Sequence, residues 1–433
     1  MIDAFRNVLL LRRLSVSSSL LVVGAGLAGL GAARAARRAG FVGSVTVVGA
    51  ETHRPYDRPP LSKGYLLGTV GVTDVGLEGT AEDLVVDWRL DTVATAFDAR
   101  SRRLTLGDGS VLEADAVVLA TGSTARRLPG VDGSNVLTLR TLDDADRLRS
   151  LLRPGAAVAI IGAGLIGSEL ASAALALGCT VTLVSNEANP LARLYGDGLG
   201  GVFLDWHREH GAEFVFCTSV TGVASADGVR ELRVGTPDGE RLVRADVVVV
   251  SVGGAPDVAW LADSGLAMGD GVICDEHGLT SVPAVGAVGD CASWWDPRLG
   301  RHHRAQHWTD ALERPATLVS ALLGLPIVRA RPHLPYFWSD QYGRKIQLAG
   351  YPTLADRIEI DGETSDLAAG FLGVYRRGDE PVAVVSVGRP RDFTRWRKQL
   401  TASLGHLPAA VGTGHLPDHP RAAPLPADPL AVG

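Results

Sequence analysis

The sequence predicts an α/β fold of two doubly wound parallel-sheet modules, followed by a smaller α+β domain. Three observations predict it. An apolar run at Leu20–Val23 passes into Gly24, Gly26 and Gly29, spaced Gly-x-Gly-x-x-Gly, and small residues at helical spacing follow. The same arrangement returns at Ala157–Glu169, with Gly162, Gly164 and Gly167. From about Arg331 the composition turns aromatic and strand-like. One such glycine pattern is weak; two, each set between a strand and a helix, narrow the chain to proteins that hold two dinucleotides on Rossmann-like modules.

The first module starts with a strand ending at Gly24, whose turn needs a residue without Cβ; Gly26 lets the pyrophosphate approach and Gly29 lets helix and strand pack. A helix is expected from Leu27 to Arg38, its N-terminal amides facing phosphate. A second strand runs to Gly49, and Glu51, just beyond it, is the candidate acid for ribose hydroxyls, with a surface glutamate as the alternative. Leu104–Leu112 reads as a hairpin around Asp108-Gly109, and Asp115–Gly122 as a buried strand delivering Thr121 and Gly122 to a nucleotide. The second module repeats this order, with a strand at Val181–Val184, a Pro237-Asp238-Gly239 turn and a closing strand from Asp246 to Gly253.

Composition sets bounds. At 433 residues, 46% of them hydrophobic, the chain has room for two or three domains, and no apolar run is long enough to cross a bilayer. A net charge of −6 gives no support for nucleic-acid binding. Cys179, Cys217, Cys274 and Cys291 form no CxxC and no metal-ligand cluster, which suits buried thiols in a reducing cytoplasm. Residues 1–19 lack a small-residue cleavage site and read as a flexible extension, and residues 406–433, rich in Pro, Ala and Gly, as a flexible tail.

The proline-dense loop YDRPPLSK (56–63), LATG (119–122), LRTLDDA (139–145), IGAGLIGSE (161–169), AVGDCA (287–292), HWTDAL (307–312), FWSDQY (337–342) and GRPRDF (388–393) occur in this order. With these motifs the chain resembles the oxygenase-coupled NADH-dependent ferredoxin reductases, the putidaredoxin and rubredoxin reductase family, whose fold is similar to that of apoptosis-inducing factor. The resemblance runs from Leu20 to about Leu400. It implies an FAD domain at 20–122 and 253–330, an NAD(P)H domain at 123–252 inserted into it, and a C-terminal α+β interface domain at 331–405. It also implies FAD contacts from Ala28, Arg58, Lys63, Val93 (placed in the strand before the first hairpin) and Arg140. Asp290, after Gly289, would bind the ribityl chain, and Trp308 would meet the isoalloxazine through its backbone. Ile166 lies in the second glycine loop, and Gly253 closes the inserted module.

A hydride carries two electrons and a [2Fe–2S] centre accepts one; a flavin takes the pair and releases it singly. The resemblance places Lys63 and Glu169 near the flavin N5, the lysine stabilising negative charge on the reduced ring and the glutamate holding the lysine; a structural salt bridge beside the cofactor is the alternative. Trp338 is implied to flank the flavin at the exit face, or else to be a core tryptophan. Arg344, Lys345, Arg395, Arg397 and Lys398 are candidates for docking an acidic ferredoxin, with a solvated helix face as the alternative; residues 389–398 carry five basic and one acidic side chain. Ser185 stands where NADH-using members often carry a ribose-binding glutamate, with Glu187 two residues on and no arginine at 185–187. NADH is therefore expected, with NADPH possible. The expected partner is a [2Fe–2S] ferredoxin feeding a cytochrome P450 or other oxygenase, served by a monomer or weak dimer without membrane or nucleic acid. The absent CxxC argues against a disulfide reductase, and Pro60, Leu61 and Ser62 occupy the place where flavin peroxidases need a cysteine. An NADH-sensing flavoprotein acting through partner binding is the alternative function.

Overall fold

The computed structural model describes residues 18–79, 84–226, 229–297, 299–325 and 334–403. The tail at 406–433, nearly all of the extension at 1–19 and the start of the third domain at 331–333 lie outside the described residues. In chain order the first module gives β1 (Ser19–Val23), α1 (Leu27–Arg38), β2 (Ser44–Val48), β3 (Asp87–Arg89) and β4 (Ala116–Leu119). The strand thus begins at Ser19, inside the expected extension, where the Ser19 amide and hydroxyl both donate to Asp115. The inserted module gives β5 (Val136–Leu137), α2 (Leu142–Leu151), β6 (Ala157–Ile161), α3 (Leu165–Ala176), β7 (Thr180–Ser185), α4 (Asp197–Glu209), β8 (Glu213–Phe216) and β9 (Val247–Val250). Then come β10 (Val285–Ala287) and α5 (Trp308–Leu322).

The two sheets have the same plan. The first runs β10-β4-β1-β2-β3 and the second β8-β7-β6-β9-β5, each wholly parallel. β10 follows the inserted module in sequence yet pairs with β4, Val285 opposite Val117, so the first sheet is built from both sides of the insertion. Strands covered on both faces need apolar runs rather than alternation. Val22, Val47, Val117 and Val118 are fully buried in one sheet, and Ile160, Leu183, Val248 and Val249 in the other. Each such side chain contributes roughly 1.5–3 kcal/mol by leaving water. Ala32, Ala33 and Ala36 form the buried face of α1, and a Cβ on Gly31 would stand 2.9 Å from Pro315 of α5, so small residues let these two helices touch.

The chain crosses between the modules twice at one place. Ser123–Ala125 leaves the first module and Gly254–Pro256 returns to it, and the two segments pair antiparallel, Ala125 opposite Gly254 and Ser123 opposite Pro256. The hairpins at Arg103–Glu113 and around Pro237-Asp238 form as the turn residues require, with Gly109 at φ +84°. Val93, placed in a strand by the resemblance, lies outside any strand, in the segment just before Ala94–Asp98, where the Thr92 amide turns the backbone back to the Gly49 carbonyl, and is 52% exposed.

The third domain is an antiparallel sheet of β11 (Tyr336–Gln341), β12 (Arg344–Gly350), β13 (Arg357–Asp361), β14 (Phe371–Arg377) and β15 (Glu380–Val387), ordered β11-β12-β15-β14-β13 and covered by α6 (Pro390–Ser403). A two-residue turn joins β11 to β12, with Tyr342 at φ 50° and Gly343 at φ 72°, the twist that tight hairpins favour. This turn locks onto the inserted module. The Tyr342 amide donates to Ser172 at 2.7 Å, its hydroxyl meets His207 Nδ1 at 2.6 Å, and its ring stacks on His210 at 3.9 Å. Burial pushes the His207 pKa down to about 4, helped by His210. The unfolded chain therefore binds a proton on this group that the folded chain refuses, so its contribution is full above about pH 6.5 and is lost as pH falls through about 4. The urea midpoint should drop between pH 7 and pH 4.5, and His207→Gln, which can still meet Tyr342, should flatten that drop. An identical pH slope in the variant would remove His207 as its source.

Candidate functional site

In both glycine loops the first and third glycines are demanded by the protein and the second is left for a ligand. Gly24 has φ +119°, and a Cβ there would stand 2.1 Å from the Ala120 oxygen; one on Gly29 would stand 1.8 Å from the Gly24 oxygen. Gly162 has φ +103° with the Ser251 oxygen at 2.3 Å from its notional Cβ, and Gly167 meets the Gly162 oxygen at 2.1 Å. A Cβ on Gly26 or on Gly164 meets nothing within 4 Å. These two glycines are the N-caps of α1 and α3, and neither helix has a side chain capping its first amides. Open space before uncapped amides fits a pyrophosphate, twice. Ile166, 41% exposed, stands in the first turn of α3. Gly289 crosses the first loop, its notional Cβ 2.9 Å from the Ala28 Cβ, so the AVGDCA segment lies over α1. Thr121 donates to the Asp257 oxygen at 2.7 Å, and Gly122 and Gly253 sit at φ +78° and +92° around the crossing.

From the first loop a polar chain runs across the cleft. Glu51 accepts from Tyr56 Oη at 2.5 Å on one oxygen and from Arg58 at 2.6 Å on the other. A carboxylate has about four lone-pair sites, so hydroxyls can still be bound. Arg58 also donates to the Arg140 carbonyl at 2.6 Å, and Arg140 reaches Asp290 at 3.0 Å, which Ser123 also reaches at 3.0 Å. Burial opposes the charge on Arg58, but Tyr56, Glu51 and Asp290 outweigh it and raise its pKa; on Arg140 burial prevails and lowers it. Tyr56, whose hydroxyl also accepts from the Leu142 amide at 2.9 Å, was not singled out from the sequence, where a tyrosine before Asp-Arg-Pro-Pro carries no distinguishing signal.

Lys63 and Glu169 meet at 2.7 Å, although 106 residues separate them. The carboxylate is 4% exposed. Ser62 donates to it at 2.5 Å, and Ser339 of the third domain at 2.7 Å. The proline-rich loop, α3 and β11 thus converge on one buried charge. Trp308, first residue of α5, donates through its indole to Asp57 at 2.6 Å. Its ring packs edge-on against Trp338 at 5.8 Å, and Trp338 is only partly buried. Burial raises the Asp57 pKa against the pull of that indole. A cavity of about 720 Å³ opens here, with Pro60, Lys63, Glu169, Trp338, Asp340 and Tyr342 among its walls.

At the end of β7, Ser185 is buried and its hydroxyl closes a local turn, donating to the Glu187 carbonyl at 2.9 Å and accepting from the Glu187 amide at 3.1 Å. Glu187 then pairs with Arg193. An arginine therefore stands beside this position after all, supplied from six residues downstream of Glu187 rather than from 185–187.

The basic run on α6 is partly spent. Asp392 takes both Arg389 and Arg395, and Arg397 lies over the Tyr336 ring at 4.2 Å. Lys345 pairs with Asp340 at 2.8 Å and stands 5.9 Å from the Trp338 ring centre. Arg391 and Lys398 are exposed. All four cysteines are free thiols, and no cluster among the described residues could hold a metal ion. No described helix is long and apolar enough to cross a membrane.

Comparison with known proteins agrees with this geometry. Residues 18–314 match the pyridine nucleotide-disulphide oxidoreductase family and residues 336–413 the reductase C-terminal family. Rhodocoxin reductase of Rhodococcus erythropolis is 33% identical over 90% of this chain and 91% of its own length. The ferredoxin reductase component of chlorobenzene dioxygenase from Cupriavidus sp. (strain PS12) is 34% identical, covering 93% and 96%. The crystal structure of the covalent putidaredoxin reductase–putidaredoxin complex superposes with a TM-score of 0.83 at 30% identity, over 90% of this chain and 94% of that one. With two glycine cradles, an interrupted first sheet and a third domain matching the reductase C-terminal family, the chain belongs to the pyridine nucleotide-disulphide oxidoreductase family, as an oxidoreductase that uses FAD and NADH.

Proposed function

We propose that this protein is a ferredoxin reductase that passes electrons from NADH through FAD to a [2Fe–2S] ferredoxin, which in turn serves a cytochrome P450 or another oxygenase. The observation that carries this reading is the Lys63–Glu169 pair, buried where the loops of both modules meet, with Trp338 on the strand that leads outward. FAD, when bound, accepts the electron pair and releases it singly. The protein supplies the rest. Gly26 and Gly164 leave room for two pyrophosphates before helix amides, and Glu51 and Asp290 offer acceptors for sugar hydroxyls. Lys63 holds positive charge beside the reacting ring, and Glu169 fixes where that charge stands. The Trp308–Trp338 pair fills the side facing the third domain, which leaves an aromatic contact there for an acceptor. The names of the relatives, among them a reductase component of chlorobenzene dioxygenase, support the acceptor class.

The test is anaerobic titration of the purified yellow protein with NADH and with NADPH, followed by turnover with a [2Fe–2S] ferredoxin. Bleaching by about one equivalent of NADH and ferredoxin-dependent cytochrome c reduction are expected. A flavoprotein that bleaches slowly, holds a long-lived charge-transfer band and ignores ferredoxin would favour the sensor reading instead. Docking through Arg391, Arg397 and Lys398 predicts that ferredoxin reduction falls about tenfold between roughly 50 and 300 mM salt. Coupling that is indifferent to salt would remove this patch from the docking face.

A further inference from the structure

The two oxygens of Glu169 are served by different domains. Oε2 takes Lys63 at 2.7 Å and Ser62 at 2.5 Å, both from the proline-rich loop. Oε1 takes the Ser339 hydroxyl at 2.7 Å and lies 3.3 Å from the Asp340 amide, both from β11. Ser339 is fully buried, and the direction of its proton is set from behind, since the Gln341 amide donates into Ser339 Oγ at 2.9 Å. With that lone pair filled by a donor, the hydroxyl hydrogen points at Glu169. Alternation along β11 puts Ser339 and Gln341 on one face and Trp338 on the other. One strand therefore carries the outward-facing tryptophan and the inward-facing support of the charge pair on adjacent residues.

Without Ser339, Oε1 keeps only the longer contact to the Asp340 amide, so the carboxylate plane is held less tightly, and Lys63, whose other acceptor is the Pro59 carbonyl at 2.9 Å, loses part of its fixed partner. We propose that Ser339 is a positioning residue for the Lys63–Glu169 pair, so that the third domain, and not the two nucleotide modules alone, fixes the charge that the donor side presents. This rests on reading the pair as the charge beside the reacting ring.

The test uses the FAD-loaded wild type, Ser339→Ala and Gln341→Leu. Two quantities are measured: the limiting rate and apparent Kd of flavin reduction by NADH in rapid mixing, and acetylation of Lys63 by acetic anhydride, read by peptide mass. Ser339→Ala should lower the limiting rate about tenfold while the NADH Kd stays within about twofold, as expected for one lost hydrogen bond to a charge that does not touch the dinucleotide. Lys63 acetylation should rise severalfold. Gln341→Leu, which leaves the hydroxyl but frees its direction, should move both in the same sense by less. Unchanged rate and unchanged labelling in Ser339→Ala overturn the proposal, as does a slower rate with Lys63 labelling at the wild-type level. If wild-type flavin is not reduced by NADH at all, the proposed function fails, whereas altered Lys63 labelling would still place Ser339 in control of the pair.

Discussion

Lys63→Ala is expected to slow flavin reduction by NADH by about a hundredfold while leaving FAD bound, the usual scale for removing one preorganised group from beside developing charge. Glu169 then keeps Ser62, Ser339 and the Asp340 amide as donors, so the loss of its cation should lower stability without preventing folding. Glu169→Ala is the harsher variant. It leaves the Lys63 ammonium, whose side chain is 16% exposed, with the Pro59 carbonyl at 2.9 Å in place of a carboxylate, removes the acceptor of the Ser62 and Ser339 hydroxyls, and should cost about 3 kcal/mol of stability as well as the rate. Rapid-mixing absorbance reads the rate, flavin-to-protein absorbance the occupancy, and urea unfolding the stability. If Lys63→Ala is reduced as fast as wild type at full occupancy, the pair is a structural salt bridge and nothing more.

The second large effect separates the modules. Gly24→Ala places a Cβ 2.1 Å from the Ala120 oxygen at φ +119°, and Gly162→Ala places one 2.3 Å from the Ser251 oxygen at φ +103°. Clash and left-handed strain together come to about 3 kcal/mol, roughly a hundredfold in affinity for whatever the loop holds. Gly24→Ala should purify almost colourless and recover little flavin on adding FAD. Gly162→Ala should stay yellow and bind NADH about a hundredfold more weakly. The reverse pattern, with Gly162→Ala losing flavin and Gly24→Ala keeping it, would exchange the roles of the two modules.

What the sequence made legible was mostly local. A turn at φ above +100° between an apolar strand and a small-residue helix leaves its glycines in plain view, and the start and end of α1 follow from them. The meeting of Lys63 with Glu169 was legible only through family resemblance, because no periodicity links residues 106 apart. Ser339 and Gln341 stood inside a quoted motif, yet their part depends on which face of β11 turns inward, which packing against the inserted module settles. Ser185 stands where an acid is expected, and its hydroxyl is occupied by the backbone two residues on, which no spacing in the sequence announces. Val93 shows the limit of resemblance, since it falls one residue short of the strand at Ala94–Asp98 and is largely exposed.

The paired segments Ser123–Ala125 and Gly254–Pro256 have an evolutionary consequence. The chain enters and leaves the inserted module side by side, Arg126 N–H still bonded to the Gly253 oxygen at 3.0 Å. A gene fragment ending at two such neighbouring points can be gained, lost or exchanged without cutting a strand of the host sheet. The host sheet keeps its order whatever is spliced there, because β10 finds β4 by its own register. On the proposed reading of the inserted module as the donor domain, chimaeras joined at Ala125 and Gly254 should exchange donor preference while leaving the host sheet intact.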